Sequence, residues 1–293
     1  MPVGHACEPA PPIKASQTLE PDSKRPRALH LFSGPSDRHD GIRAILEKIG
    51  WECVDVDIVN ASSHGRDSSD LLDDALWQNI FSVISAGVYD FVWIGTPCST
   101  FSRARERPPG PRPLRSLDQI RGLPKHLLTP KEQKQLDEGN FFAIKSAQAA
   151  GLCLGRRVGF AIENPEPVDK SVSLYLLPEL LDLAGLPGVR SVDFDQCTHG
   201  AETRKPTRVL YAHVDFASLE GRCRHPPHWW NFQDATGQSK WVHAPHPPLA
   251  GRVRDSGEFA TKQAAAYPGD LNHKVVKCII QRGRACLPSR TLQ

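Results

Sequence analysis

The cysteine at position 98 follows a compact apolar run at 91–94, in the segment Gly95-Thr96-Pro97-Cys98. Such a run is typical of a buried strand, so the thiol would lie where a strand ends and a loop begins. A cysteine in that position is partly exposed and can be activated as a nucleophile, unlike a cysteine inside the core. The alternative is an ordinary packing cysteine, and position alone does not decide between the two.

A carboxylate and an amide leave another apolar run in the same way. Glu163 and Asn164 follow the run at 158–162 and precede Pro165. In an open α/β sheet, ligands bind at the carboxyl ends of the strands, where a glutamate can serve as a general acid. The alternative is a carboxylate that caps the turn around Pro165.

Two glycines flank an insertion after the first apolar run. Gly34 follows the run at 28–32, and Gly41 opens a helical pattern after the insertion at 35–40. Glycines at such a turn let a ligand approach the backbone, and a helix N-terminus favours negative groups. Taken alone, this feature favours a plain turn between a strand and a helix.

Three aspartates come near the end of the second strand and the start of the next helix. Asp55 and Asp57 lie near the strand end, where an α/β nucleotide fold binds ribose hydroxyls. They share one face by the two-residue period of a strand, so the alternative is a pair of surface residues. Asp70 either stabilises the helix N-terminus or contacts an adenine amino group.

Apolar periodicity predicts the elements that must position these residues. Strand-like runs occur at 28–32, 51–58, 90–94, 158–162, 192–194 and 208–214, and helical patterns occur at 41–49, 71–84 and 129–153. Thr129, Pro130 and Glu132 give the last helix a capping box with proline at its first position. Strands separated by helices predict a parallel, doubly wound α/β sheet.

The ordered motifs resemble those of the DNA cytosine-5 methyltransferase family. That family's signatures are a Phe-x-Gly turn, a strand-end acid, a Pro-Cys loop and a Glu-Asn pair. They stand here as Phe32-Ser33-Gly34, Asp55 or Asp57, Pro97-Cys98 and Glu163-Asn164. Each motif recurs by chance, but the ordered set is specific. The segments 196–208 and 266–271 resemble the nucleic-acid-contact motif and the closing segment of phage and mobile-element members.

The resemblance implies a Rossmann-like, S-adenosylmethionine-dependent methyltransferase domain with a small irregular target-recognition lobe. Cys98 would add to C6 of a flipped-out cytosine while Glu163 contacts N3. Asn164 would hold the loop that carries Pro97, and Arg208 would contact a phosphate or the flipped base. The implied contacts to S-adenosylmethionine are Phe32, Ser33, Gly34, Asp57, Asp55, Asp70 and Thr96.

A basic loop follows the candidate nucleophile. Residues 99–128 carry seven basic and two acidic side chains, a formal charge of +5 within a chain whose total is +3. A charge run is usually a solvated face, but beside Cys98 it can close over DNA as a mobile loop. The predicted nucleic-acid contacts are Ser99, Arg103, Arg105, Arg204 and Lys205.

Residues 217–262 are rich in His, Pro, Trp and Gly and predict a small irregular lobe. Within it, Cys223, His225 and His228 are metal-ligand types, with Cys197 or His199 available as a fourth. The spacing matches no common zinc module. The sequence therefore favours a histidine-rich surface facing DNA over a zinc site.

Composition excludes several classes of protein. The 293 residues are 39% hydrophobic and 24% charged, which is ordinary for a globular chain. No apolar run reaches the roughly 18 residues of a membrane span, and the proline-rich N-terminus predicts no signal peptide. The eight cysteines predict reduced intracellular thiols. We expect a monomer that binds DNA and no membrane, in the cytoplasm of a bacterial or phage-infected cell or in a eukaryotic nucleus.

The predicted organisation is a tail at 1–27, a catalytic domain at 28–216, the lobe at 217–262, a returning C-terminal segment at 263–283 and a tail at 284–293. Two functional alternatives stay open. One is a methyltransferase fold that binds nucleic acid without catalysis. The other is C5 alkylation of pyrimidines in RNA, or transfer of a group other than plain methyl.

Overall fold

The computed structural model describes residues 25–65, 67–106, 110–224, 231–233, 235–237, 239–241, 246–247, 249, 257, 261 and 264–286. Most of the tails predicted at 1–27 and 284–293 lies outside these ranges, as do His225 and His228. Among the described residues, no helix combines the length and the apolar character needed to cross a membrane.

A six-stranded sheet forms the centre of the fold. Its strands are β1 Arg27–Leu31, β2 Glu52–Val56, β3 Phe91–Ile94, β4 Gly159–Pro165, β5 Arg190–Asp195 and β6 Pro206–Ala212. They lie in the order β2-β1-β3-β4-β6-β5. The strand order reverses between β1 and β3, which is the point where Rossmann-like sheets bind ligands. The predicted Rossmann-like α/β fold class is confirmed.

The prediction of a wholly parallel sheet is wrong at one edge. β1, β2, β3 and β4 pair in parallel, but β6 is antiparallel to both β4 and β5. The connection between β5 and β6 spans 196–205 and is too short for the crossover that parallel neighbours need. The two strands therefore pair in antiparallel orientation.

Helices cover both faces of the sheet. They are α1 Ile42–Lys48, α2 Ala61–His64, α3 Asp74–Ser85, α4 Pro130–Gly155, α5 Pro178–Ala184 and α6 Gly269–Cys286. The capping box of α4 is confirmed, since the Thr129 amide donates to Glu132 Oε2 at 2.8 Å and the Glu132 amide donates to Thr129 Oγ1 at 3.3 Å. The sequence patterns did not predict α5 or α6.

Two apolar layers hold these helices. α3, α4 and α5 share one cluster with strand residues such as Leu29 and Val92, while α1 and α6 share the other with Ala28 and Trp93. Alternate residues of each strand therefore face opposite layers. Because both faces are buried, the strands read as continuous apolar runs in the sequence.

The described part of the predicted lobe contains a short antiparallel pair, β7 Asn231–Gln233 and β8 Ser239–Trp241. The lobe is connected to the sheet at its beginning. The Asp195 amide donates to the Gly221 carbonyl at 2.8 Å, and Phe194 forms an isolated parallel bridge with Gly221.

Candidate active site

The loop that carries Cys98 is fixed from two sides. Asn164 is 1% exposed, and its Nδ2 donates to the Thr96 carbonyl at 2.7 Å. The Thr96 hydroxyl lies 2.8 Å from Ser146 Oγ of α4. β3 and β4 are adjacent and parallel, so the loop after β3 and the Glu-Asn pair of β4 meet at one edge of the sheet. Pro97 and Cys98 remain partly exposed there.

Glu163 is buried and held by groups from distant parts of the chain. Its side chain accepts a hydrogen bond from the Tyr267 hydroxyl at 2.8 Å on Oε2, and Lys205 Nζ lies 3.7 Å from Oε1. Trp93 Nε1 in turn donates to the Tyr267 hydroxyl at 3.4 Å. A carboxylate held this way has a fixed direction before any substrate arrives.

Lys205 and Glu163 both influence the pKa of the Cys98 thiol. Burial raises the pKa of Cys98, the Lys205 ammonium lowers it, and the Glu163 carboxylate raises it further. Burial disfavours the charged thiolate, which is the nucleophilic form, because it removes the charge from water. Lys205 is the group that offsets part of that cost.

The turn after β1 has positive φ angles and leaves empty space beside one of its glycines. Phe32 has φ of 58° and Gly34 has φ of 69°. A Cβ built at Gly34 would meet nothing within 4 Å, so the space beside this glycine is open. The Gly34 amide donates to Asp57 Oδ2 at 2.9 Å, and Ser33 Oγ bonds the Gly34 carbonyl at 3.0 Å.

The three predicted cofactor aspartates divide into different roles. Asp57 lies just past β2, where its carboxylate accepts from the Gly34 and Val59 amides. Asp55 points elsewhere, because it is buried beside His30 with 3.3 Å between Oδ1 and Nδ1. The structure thus holds Asp55 against His30, and its contact to the ribose stays a prediction. Asp70 accepts from the Leu72 amide at 3.0 Å.

These residues fit S-adenosylmethionine. The space beside Gly34 would accept the methionine part of the cofactor, and the Asp57 carboxylate at the strand end would accept hydrogen bonds from ribose hydroxyls. The insertion at 35–40 does not fill this space, since its Ser36 amide donates to Asn60 Oδ1 at 3.1 Å and its second half contacts the segment of α6. Arg38 donates to Asp40 and to the Tyr267 carbonyl, at 2.8 and 3.0 Å from Nη2.

The arginines after β5 are paired with acids. Arg208 makes two bonds to the Asp193 carboxylate, at 2.7 and 2.8 Å, and this contact raises the pKa of Arg208. Arg204 donates to Asp195 Oδ2 at 3.2 Å and remains 46% exposed. The structure thus holds Arg208 against Asp193, whereas its predicted role is a contact to phosphate or base.

In the described parts of the basic loop, 99–106 and 110–128, several arginines donate to groups within the fold. Arg105 donates to the carbonyls of Ser99 and Arg112 and to Gln135 Oε1, at 2.6, 3.0 and 3.0 Å. Arg115 is 3% exposed, and its guanidinium lies 3.8 Å from the centre of the Phe101 ring. These two arginines are therefore engaged within the fold, and closure of the loop over DNA stays a prediction.

The sequence does not predict that Lys205 and Tyr267 lie beside Glu163. Lys205 was predicted to contact nucleic acid, yet it lies against Glu163. Tyr267 falls in the closing segment and received no role. No local pattern identifies these two, because each reaches the site through a return of the chain across the sheet. The resemblance of 266–271 to the family's closing segment was the available signal.

Comparison with known proteins confirms the resemblance to the cytosine-5 methyltransferases. The chain is 34% identical over 80 residues to a probable DNA (cytosine-5)-methyltransferase of Frog virus 3 (isolate Goorha), covering 27% of this chain and 32% of the viral protein. It therefore spans about a third of that relative's length. The S. pombe Dnmt2 methyltransferase matches with a TM-score of 0.34 at 16% identity, over 64% of this chain and 51% of that one. No family profile matches.

Proposed function

We propose that this protein transfers a methyl group from S-adenosylmethionine to C5 of cytosine in DNA, through a covalent adduct with Cys98. One observation carries the proposal. The Cys98 thiol and a buried carboxylate with a fixed direction lie at the ends of adjacent parallel strands, and Lys205 influences both.

Cytosine C5 is a poor nucleophile, so the ring must first be activated. The Cys98 thiolate adds to C6 while Glu163, in its protonated form, donates a proton or a hydrogen bond to N3. The cofactor supplies an electrophilic methyl group for C5. A solvent water molecule then takes the C5 proton, and the Cys98 sulfur leaves C6 as a thiolate, which restores the aromatic ring. The base must leave the helix stack, at a cost of roughly a few kcal/mol.

The proposed cofactor contacts are the turn Phe32-Ser33-Gly34 with Asp57, Asp70 and Thr96. The proposed nucleic-acid contacts are Ser99, Arg103 and Arg204, which surround the Cys98 loop or remain partly exposed. We also propose that 28–216 and 263–283 form the catalytic domain and that 217–262 reads the target, in an intracellular, monomeric protein of the phage or mobile-element branch.

The test is mass spectrometry of nucleosides from cells that express the protein or its Cys98→Ser variant. We expect 5-methylcytosine in DNA with the native protein and background levels with the variant. A modified base in RNA with unmodified DNA would instead support the RNA alternative. If neither pool differs from the variant, calorimetry with S-adenosylmethionine distinguishes a silent enzyme from a protein that binds nucleic acid alone, which would show no heat of cofactor binding.

A further inference from the structure

Three metal-ligand side chains converge between the β5–β6 connection and the lobe. The Sγ atoms of Cys197 and Cys223 and a ring nitrogen of His246 all lie within 4.8 Å of one another. Cys223 Sγ is 3.3 Å from His246 Nε2. The three residues come from separate segments of the chain, so their convergence is a result of folding and not of a local spacing.

The imidazole of His246 has the orientation that metal-binding histidines adopt. Its Nδ1 lies 2.7 Å from the Glu202 carbonyl, which can only accept a hydrogen bond. Nδ1 therefore carries the proton, and the lone pair of Nε2 points towards the two thiols. A backbone carbonyl in this position is a common partner of histidines that bind zinc through their other nitrogen.

Asp195 holds both cysteines in place, one through its side chain and the other through its backbone carbonyl. Asp195 is fully buried, and its Oδ2 accepts from the Cys223 amide at 2.8 Å. The Asp195 carbonyl accepts from the Thr198 hydroxyl at 2.8 Å, which fixes the turn that contains Cys197. The two thiols are thus positioned by the end of β5, before any ion binds.

The structure also removes one ligand that the sequence had left available. His199 Nε2 lies 2.8 Å from the Leu219 carbonyl, and its Nδ1 lies 2.9 Å from Lys274 Nζ. Both ring nitrogens of His199 are therefore engaged. His246 supplies the imidazole instead, although it stands 23 residues beyond Cys223.

We propose that Cys197, Cys223 and His246 bind a structural Zn²⁺ ion. Two thiolates and one neutral imidazole form a ligand set that zinc prefers, and binding would release the two thiol protons. Solvent would supply the fourth ligand. The ion would connect the segment before Arg204 and Lys205 to the lobe. This inference does not depend on the proposed methyl transfer.

The test is the zinc content of the full-length protein, purified under reducing conditions from zinc-supplemented medium. We expect about one zinc per chain, and roughly a tenfold or greater loss of affinity in Cys223→Ser and in His246→Ala, measured by competition with a chromophoric chelator. Cys278→Ser removes a buried cysteine of α6 and is the matched control, which should keep the zinc.

A native protein without stoichiometric zinc would overturn the proposal, as would equal zinc in the ligand variants and the native chain. A disulfide between Cys197 and Cys223 in protein kept reduced would also overturn it. If the ligand variants fail to fold, replacement of the ion by Co²⁺ in the native protein supplies a second measurement. Thiolate-to-cobalt charge transfer should appear, and a spectrum with oxygen ligands alone would contradict the site.

Discussion

At the scale of single residues, the charge environment of Cys98 is set by partners that are far away in sequence. Lys205 lowers the pKa of the thiol while Glu163 raises it, and Tyr267 donates to Glu163. A lysine that the sequence predicts to contact nucleic acid therefore lies against Glu163 in the candidate active site. Its position there lets it stabilise both the thiolate and the carboxylate.

Replacing Tyr267 by phenylalanine removes the hydroxyl that donates to Glu163 at 2.8 Å and keeps the ring. A hydrogen bond to a charged group contributes roughly 1.5–3 kcal/mol, so we expect the methylation rate to fall about tenfold to 100-fold. Single-turnover kinetics on a cytosine-containing duplex measure the change. Tyr211→Phe, in the same apolar layer, is the control and should keep the native rate.

The reactivity of Cys98 should increase with pH, and two variants should shift its pH profile in opposite directions. Burial raises the pKa of the thiol above its ordinary value, so alkylation by iodoacetamide should increase as the pH rises. Lys205→Met removes the cation that lowers this pKa and should move the profile to higher pH. Glu163→Gln removes the anion that raises it and should move the profile to lower pH.

Peptide mass spectrometry measures the alkylation of Cys98 against pH in each variant and in the native protein. Cys53, whose pKa burial also raises, serves as an internal reference because neither substitution changes its surroundings. Shifts of the same sign in the two variants would contradict the charge arrangement described here.

At the scale of elements, the basic loop has a formal charge of +5, but several of its arginines are paired within the fold. Arg112 pairs with Glu132 and Arg121 with Glu179, while Arg105 and Arg115 donate to groups within the fold. The loop is also attached at Glu106, which accepts from the Ser171 hydroxyl at 2.9 Å. Much of its positive charge therefore stabilises the loop itself.

Arg103 and Arg105 should consequently respond differently to replacement by alanine. Arg105→Ala removes three donated hydrogen bonds, so we expect the free energy of unfolding to fall by about 1–2 kcal/mol. Arg103→Ala should leave stability near native and reduce the slope of log DNA affinity against log salt by about one. Urea unfolding and DNA titration at several salt concentrations measure both. A reduced salt slope in Arg105→Ala with native stability would reverse the assignment.

At the scale of the whole molecule, the return of α6 completes the site. Asn272 is buried, and its Nδ2 donates to the Asp40 carbonyl at 2.8 Å, beside the insertion after Gly34. Leu271, Val275 and Ile279 pack with α1 against the sheet. This packing carries Tyr267, just before the helix, to Glu163. The insertion at 35–40 thus provides a docking point for the C-terminal segment.

Replacing Leu271 by alanine should therefore affect stability and activity together. Leu271 is 1% exposed, and a cavity at such a site costs roughly 2–5 kcal/mol in the free energy of unfolding. We expect a lower urea midpoint and a loss of methylation as Tyr267 loses its support. Leu181→Ala makes the same change where the side chain is 53% exposed and should alter neither. Native stability in Leu271→Ala would show that α6 is not required for the fold.

Much of the fold was predictable because its signals are local. The runs that became β1, β3 and β4 are apolar on both faces, and the capping box of α4 needs three neighbouring residues. The antiparallel direction of β6 was missed because strand direction depends on the length of a connection. The sequence patterns did not predict α6, because its place in the fold depends on packing against α1 and the sheet.

The sequence by itself determined which residues could do chemistry and in what order they occur. Cys98, Glu163 and Asn164 follow their strands, and the periodic pattern that predicts a strand also predicts where it ends. Tertiary structure decided the partners: Lys205 and Tyr267 at Glu163, Asp193 at Arg208, and His246 at the two cysteines. Partner choice depends on distances across the fold, which the spacing of residues along a chain does not record.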